Sequence, residues 1–367
     1  SGIGIDKKVE AGAILSSSLV WGETWNRALF YDAKISGIGN TELTPEFAAK
    51  LGAAYGAFLG KNSHVLCCRD AGLSSRMINR AVNCGLLSAG VNVGDLQMLP
   101  IPVLRYELRY GRSEGGLHVR RSPFDEKVID IIFFDGDGID IPESKSKSIE
   151  RLFLREDFRR APVNETGRID YPQRVIENYR QAFLKAVDGD LIKSMNYKIV
   201  LDYSYGGACD IFPSILGALG IETVSLNAYQ DPQRQFQTPE KIEERLSQLS
   251  SIVKSLKAHM GFMINTGAEK LDVIDERGRH VSPDKLLLLV TSLYLQMNKV
   301  QSIAVPVAAS MGVERIATEY GVKVRRTRND HLSMMEAFHK KGVDFVGGTR
   351  GGIGGGPPGP VSGQSSV

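Results

Sequence analysis

Gly115-Gly-Leu-His-Val-Arg-Arg-Ser-Pro-Phe-Asp-Glu-Lys-Val-Ile-Asp-Ile131 is the stretch around which the rest of the chain can be read. Gly115 and Gly116 permit a tight turn, and Leu117 and Val119 read as the end of a short strand. Arg120 and Arg121 then lead into Ser122 and Pro123. A hydroxyl beside two fixed cations suits phosphate. Guanidinium donors match phosphate oxygens, and a phosphoserine adds about −1.5 to −2 charge for the arginines to balance. Taken alone, Arg-Arg-Ser-Pro is also compatible with a solvated basic loop.

Upstream of this strand, Ser36-Gly-Ile-Gly-Asn40 reads as a loop, and Thr44-Pro-Glu caps a helix running to about Phe58. Residues 63–70 read as a buried strand ending in Arg69-Asp70, followed by a helix over 74–90, a strand over 93–99 and a helix over 102–110. Such alternation predicts an α/β fold with the site loops at strand ends, Ser122 among them. Residues 142–165 are polar and read as a surface excursion between units. A second alternation starts at Tyr171 and a third with the helix around Leu286. The expected fold class is therefore α/β: three tandem similar α/β units with mixed, mostly parallel sheets, over 30–165, 166–281 and 282–350.

The two ends read differently. Ile3, Val9, Leu15 and Trp21 recur every six residues, a hexapeptide period that predicts the last coil of a left-handed β-helix over 1–29; a chance alternation of small and apolar residues is the alternative. The glycine- and proline-rich tail over 351–367 has no periodic apolar positions and is expected to be flexible.

Composition narrows the function classes. At 367 residues the chain exceeds one core, and 42% hydrophobic with 24% charged residues is ordinary for a soluble globular protein. Lys+Arg 45 against Asp+Glu 42 is too balanced to point to nucleic acid or an anionic membrane, so any anion site must be local. The cysteines, Cys67, Cys68, Cys84 and Cys209, lack metal-ligand spacing, and a cytoplasmic location is expected. The apolar run Leu286–Val290 is too short to span a bilayer. A start at Ser1 without an initiator Met is expected of a piece of a longer chain.

Over about residues 30–350 the order of motifs resembles the α-D-phosphohexomutase superfamily, the phosphomannomutases and phosphoglucomutases. That family isomerises hexose 1- and 6-phosphates through a phosphoserine, a Mg²⁺ loop of three aspartates, a sugar-binding loop and a fourth, phosphate-binding domain. Its Gly-Ile-Arg-Gly loop resembles Ser36-Gly-Ile-Gly39 without the arginine, and its Gly-Arg-Asp strand end resembles Arg69-Asp70, with Ser74 and Ser75 following. Ser122 falls where Thr-x-Ser-His-Asn-Pro places the catalytic serine, with Pro123 and Phe124 replacing the His and Asn. The family's Asp-x-Asp-Ala-Asp-Arg resembles Asn265-Thr-Gly-Ala-Glu-Lys270, where one carboxylate survives. Its Gly-Glu-x-Ser-Gly sugar loop resembles Gly348-Thr-Arg-Gly-Gly352, which lacks both the Glu and the Ser. The fourth domain has no counterpart.

The resemblance implies Ser122 and Arg121 as catalytic residues and Arg120, Arg69, Lys270, Thr349 and Arg350 as phosphate and sugar ligands. Asn265 and Glu269 would form at best a weak Mg²⁺ site, with a plain β-turn as the alternative. Together with the hexapeptide stretch, the pattern is similar to bacterial and archaeal fusions of a sugar-nucleotidyltransferase, a β-helix and a mutase-like part. Sugar phosphates, a nucleotidyltransferase domain on the same full-length chain and homo-oligomerisation are the implied partners. The expected activity is phosphohexomutase-like handling of mannose or glucose phosphates; the alternatives are a non-catalytic sugar-phosphate-binding or assembly module and a structural relic. A basic cleft is expected, with Arg120, Arg121, Lys270 and Arg350 against Glu269 alone. The three loops are expected around one shared cleft; loops on separate faces, or carboxylates neutralising that cleft, would leave only the structural relic.

Overall fold

The computed structural model describes residues 28–156, 158–329, 333–334, 336–337, 343–348 and 353–355. The expected β-helix coil over 1–29 thus lies outside the described residues apart from its last two. In chain order the elements are β1 (Lys34–Ile38), α1 (Pro45–Leu59), β2 (His64–Arg69), α2 (Leu73–Ser88), β3 (Asn92–Met98), α3 (Ile101–Tyr110), β4 (Gly115–Arg121), β5 (Val128–Asp135), α4 (Glu143–Arg155), β6 (Ile169–Asp170) and α5 (Val175–Lys185). They continue with α6 (Gly189–Ser194), β7 (Lys198–Asp202), α7 (Phe212–Ala218), β8 (Glu222–Leu226), α8 (Pro239–Ser255), β9 (Met260–Ile264), β10 (Leu271–Ile274) and β11 (His280–Val281). Last come α9 (Pro283–Met297), β12 (Ser302–Pro306), α10 (Gly312–Glu319), β13 (Lys323–Thr327), β14 (Phe345–Gly347) and β15 (Ile353–Gly355).

Three sheets result, in the orders β1-β5-β4-β2-β3-β6, β11-β10-β9-β7-β8 and β13-β12-β14-β15. In the first, β4 runs parallel to β2 and antiparallel to β5, so the chain reverses just after Ser122. Parallel pairs dominate around β2, β7 and β12, while β5, β10 and β15 pair antiparallel with their neighbours. The short β6, beyond the boundary expected at 165, completes the first sheet by pairing with β3.

Four local expectations are corrected. Gly115 and Gly116 do not turn; they lie in β4, because a Cβ on Gly115 would stand 2.1 Å from the buried Tyr55 hydroxyl and one on Gly116 2.8 Å from Leu108. Ser36, Gly37 and Ile38 are not loop but the end of β1, paired with Val128–Asp130 of β5. Within the polar stretch 142–165, α4 presents Ile149 and Phe153 at helical spacing to the core, where Phe153 packs on Phe47 with ring centroids 4.9 Å apart. Of the tail over 351–367, only residues 353–355 are described, and they form β15, since main-chain pairing with β14 needs no apolar side chains; the remainder of that expectation lies outside the described residues.

One core cluster lies between the first sheet and α1, α2 and α4, and includes Ile35, Leu51, Val65, Ile78, Leu117, Val119 and Phe133. A second covers the opposite face and joins Leu66, Leu104, Leu108 and Phe134 to Val175, Ile211 and Ile215, which ties the first sheet to the elements of the second. This continuous apolar contact fixes the strand ends of the two sheets relative to each other. The four cysteines are unpaired thiols, and burial pushes those of Cys67 and Cys68 well above their ordinary range. Among the described residues, no helix is long and apolar enough to cross a membrane.

Candidate active site

The site grows out of the alternation along β4. Successive strand residues face opposite ways. Leu117 and Val119 enter the core, while His118, Arg120 and Ser122 fall on the other face and line a cleft. Arg69 and Asp70 at the end of β2 and Arg121 at the end of β4 share this cleft, and Thr266 and Gly267 reach it from the β9–β10 turn.

Ser122 is buried, and its N–H donates to the Val128 carbonyl at 2.8 Å, closing the β4–β5 reversal. Its Oγ accepts the Phe124 N–H at 3.3 Å, which orients the oxygen and leaves the hydroxyl proton for another acceptor. Asp70 braces the two strand ends: Oδ2 accepts from the Arg121 N–H at 2.7 Å and Oδ1 from the Gly72 N–H at 2.8 Å. The Arg69 guanidinium donates to the Asp70 carbonyl at 2.9 Å, and that of Arg121 to the Pro232 carbonyl at 3.0 Å. Neither forms an ion pair among the described residues, so both keep charge and donors for an anion.

Arg120 is placed differently. Its Nη1 donates to Glu269 Oε2 at 2.5 Å, and its Nε lies 3.7 Å from Asp130 Oδ2. Asp130, fully buried, also accepts from Ser36 Oγ at 2.6 Å and from Lys34 Nζ at 3.3 Å. Burial works to raise the Glu269 carboxyl, but Arg120 and then Arg105 outweigh it and hold it below the usual carboxylate range. A carboxyl with a depressed folded pKa contributes stability that is present above its unfolded pKa and lost as pH falls through the folded value. Glu269→Gln is therefore expected to cost about 2 kcal/mol at neutral pH. In paired thermal melts against the wild type, the gap should close at acid pH. A gap that stays constant with pH would mean the bridge contributes nothing through its charge.

His118, also buried, makes a 3.1 Å hydrogen bond from Nε2 to the Leu99 carbonyl, and Nδ1 has no partner among the described residues. Burial, and then Arg120, lower its pKa to about 4, so the imidazole is neutral at physiological pH.

The basic cleft expected from sequence is corrected. Arg120 is balanced by Glu269 and Asp130. Lys270 does not line the cleft; its Nζ stands 6.0 Å from the Phe124 ring centroid. Thr349 and Arg350 lie outside the described residues. The free charge comes instead from Arg69 and Arg121, with Asp70 between them. The expected Mg²⁺ ligands do not fit a divalent cation either. Asn265 Oδ1 accepts the N–H groups of Glu269 and Lys270, both at 2.8 Å, so its oxygen caps the turn, and Glu269 is spent on Arg120. Mg²⁺ wants near-octahedral oxygen ligands; no group of three His, Cys, Asp or Glu among the described residues could hold a metal.

Sequence reading missed His118, as well as Gln230, Gln235 and Phe236, which line the cleft from the chain between β8 and α8. His118 was legible as the residue four before Ser122 on the same strand face; the others depend on a long-range approach that no local pattern encodes.

Comparison with known proteins identifies the family. Residues 27–160 match the family described as phosphoglucomutase/phosphomannomutase, alpha/beta/alpha domain I, and residues 177–278 match its alpha/beta/alpha domain II. A phosphoglucomutase/phosphomannomutase from Thermococcus kodakarensis is 32% identical over 329 residues, covering 89% of this chain and 72% of the relative. A phosphoglucosamine/phosphogalactosamine mutase from Sulfurisphaera tokodaii is 32% identical over 315 residues, 85% of this chain and 69% of the relative. In fold, the chain is similar to a phosphoglucomutase/phosphomannomutase family protein from Burkholderia thailandensis (TM-score 0.80, 21% identity, 90% of this chain and 72% of that one). It is also similar to parafusin from Paramecium (TM-score 0.70, 13% identity, 89% and 66%). With a serine at the strand end, two uncommitted arginines beside it and relatives of this closeness over most of its length, the chain belongs to the phosphoglucomutase/phosphomannomutase family of the α-D-phosphohexomutase superfamily.

Proposed function

We propose that the chain binds hexose phosphates, mannose or glucose 1- and 6-phosphates, and moves the phosphoryl group through Ser122. The observation that carries this reading is the placement of Ser122 Oγ in one cleft with the uncommitted guanidinium groups of Arg69 and Arg121. In the transfer step a sugar hydroxyl oxygen attacks the phosphorus on Ser122. The P–Oγ bond breaks as the P–O(sugar) bond forms, and the sugar proton ends on Ser122 Oγ. Arg121 would hold the phosphoryl oxygens as their charge grows, and Arg69 the phosphate that does not react.

A second reading, a non-catalytic sugar-phosphate-binding module that serves a nucleotidyltransferase, is favoured by the turn at Asn265–Lys270, where Asn265 Oδ1 accepts from the turn's own backbone and Glu269 Oε2 from Arg120. Both readings require anion binding. Calorimetric titration with mannose 1-phosphate and glucose 1-phosphate is expected to show binding that Arg121→Ala weakens about tenfold or more, the loss of one charge-assisted contact. Affinity unchanged in both Arg69→Ala and Arg121→Ala would place the site elsewhere, and retained binding without turnover would select the second reading.

A further inference from the structure

We infer that the Arg120 guanidinium serves as a fixed internal cation beside Ser122 and makes phosphate binding in this cleft independent of divalent metal. The inference rests on the hexose-phosphate reading above, and concerns what neutralises the turn's carboxylate beside the bound phosphate.

Three observations converge on Arg120. First, the two turn residues expected to hold a metal are engaged elsewhere, since Asn265 Oδ1 accepts from its own backbone and Glu269 Oε2 from the guanidinium. Second, Gly267 makes room for that guanidinium. A Cβ there would stand 3.1 Å from Arg120 Nη1 and 3.1 Å from Glu269 Oε2, so a side chain at this position would press on the ion pair. Its φ lies outside the left-handed region, so the backbone itself does not demand glycine. Third, Arg120 is two residues before Ser122 on the same strand face and lines the same cleft. It is only 15% exposed, and its Nε, 3.7 Å from Asp130 Oδ2, has no hydrogen-bond partner among the described residues.

Charge accounting supports the substitution. Arg120 and Lys34 together offset Glu269 and Asp130, so the surviving carboxylate of the turn needs no metal to neutralise it beside a phosphate. A guanidinium, unlike a metal, cannot be chelated away, and it stays protonated at any working pH. Asp130 behind it, with Lys34 and Ser36 attached, sets its orientation. The arrangement therefore points to phosphate monoesters recognised without Mg²⁺.

The test uses the whole chain freed of metal by EDTA. Titration with glucose 1-phosphate is expected to give the same affinity within about twofold whether EDTA or excess Mg²⁺ is present, and Mn²⁺ added alone, followed by electron paramagnetic resonance, should show no stoichiometric binding. Arg120→Met should lose about tenfold or more in affinity, while Arg120→Lys, which keeps the charge, should recover part of it. Thermal melting of both variants reports whether they fold. A Mg²⁺ requirement for affinity, one Mn²⁺ bound per chain, or a folded Arg120→Met with unchanged affinity would overturn the inference while leaving the hexose-phosphate reading in place. Failure to bind the sugar phosphate in either condition would bring down that reading and this inference with it.

Discussion

Ser122→Ala is expected to abolish phosphoryl uptake while leaving the fold intact. After incubation with glucose 1,6-bisphosphate, the intact mass of the wild type should rise by one phosphoryl group, and that of the variant should not. Mutase turnover, measured by coupled assay, should drop by about a thousandfold or more, as expected when a covalent nucleophile is removed. The fold should tolerate the change, because the contact that shapes the β4–β5 reversal is the Ser122 N–H to the Val128 carbonyl, which alanine keeps. What is lost is an oxygen accepting a 3.3 Å hydrogen bond from the Phe124 N–H, an effect on stability of about 1 kcal/mol. A phosphate found on the variant would place the acceptor elsewhere. A wild type that never takes up phosphate would reject the catalytic reading and leave the binding one.

Gly85→Val should have the largest effect on stability. Helices α1 and α2 cross with their backbones nearly touching: a Cβ on Gly85 would stand 2.0 Å from the Ala49 carbonyl oxygen and 2.7 Å from the Ala53 nitrogen. Gly52 on the facing helix is equally tight, its Cβ position 2.1 Å from the Val82 carbonyl oxygen. The obstacles are main-chain atoms, so no rotamer change can relieve them; the helices must separate and open the cluster around Leu51, Ile78, Val82 and Leu86. Overpacking of this kind costs about 3 kcal/mol or more, a fall in melting temperature of roughly 6 °C or more at 2–4 °C per kcal/mol. A melting temperature within about a degree of the wild type would show that the crossing is looser than these distances imply.

These two predictions draw on different kinds of information. Ser122 was legible in the chain: an alternating strand, two arginines and a hydroxyl before a proline are local, and a strand end is where a parallel α/β sheet exposes its loops. The glycine pair at the helix crossing was not, since nothing in residues 45–59 or 73–88 says which faces meet. Gly115 shows the same limit from the other side, as a pair of glycines reads as a turn until Tyr55 is seen to need the space.

The metal loop and the cleft charges divide in the same way. That Asn265–Lys270 keeps one carboxylate is a statement about sequence, and it already argued against a strong Mg²⁺ site. That this carboxylate meets Arg120, 149 residues earlier, is a statement about two sheets brought together by the apolar contact of Leu104, Leu108 and Phe134 with Val175, Ile211 and Ile215. Counting charges along the chain made Arg120 a free cation; folding paired it with Glu269 and Asp130, while Arg69 and Arg121 form no ion pair among the described residues.

Sequence alone determined the alternation of strands and helices, the placement of Ser122 at a strand end and the loss of the acidic loop, because each depends on residues within about one element's length. Tertiary structure alone decided that β5 and β1 pair antiparallel beyond Ser122, that the loops of two sheets share one cleft, and which cations there are spent. Those outcomes depend on side chains that meet only after long loops close, and local periodicity carries no record of the partner.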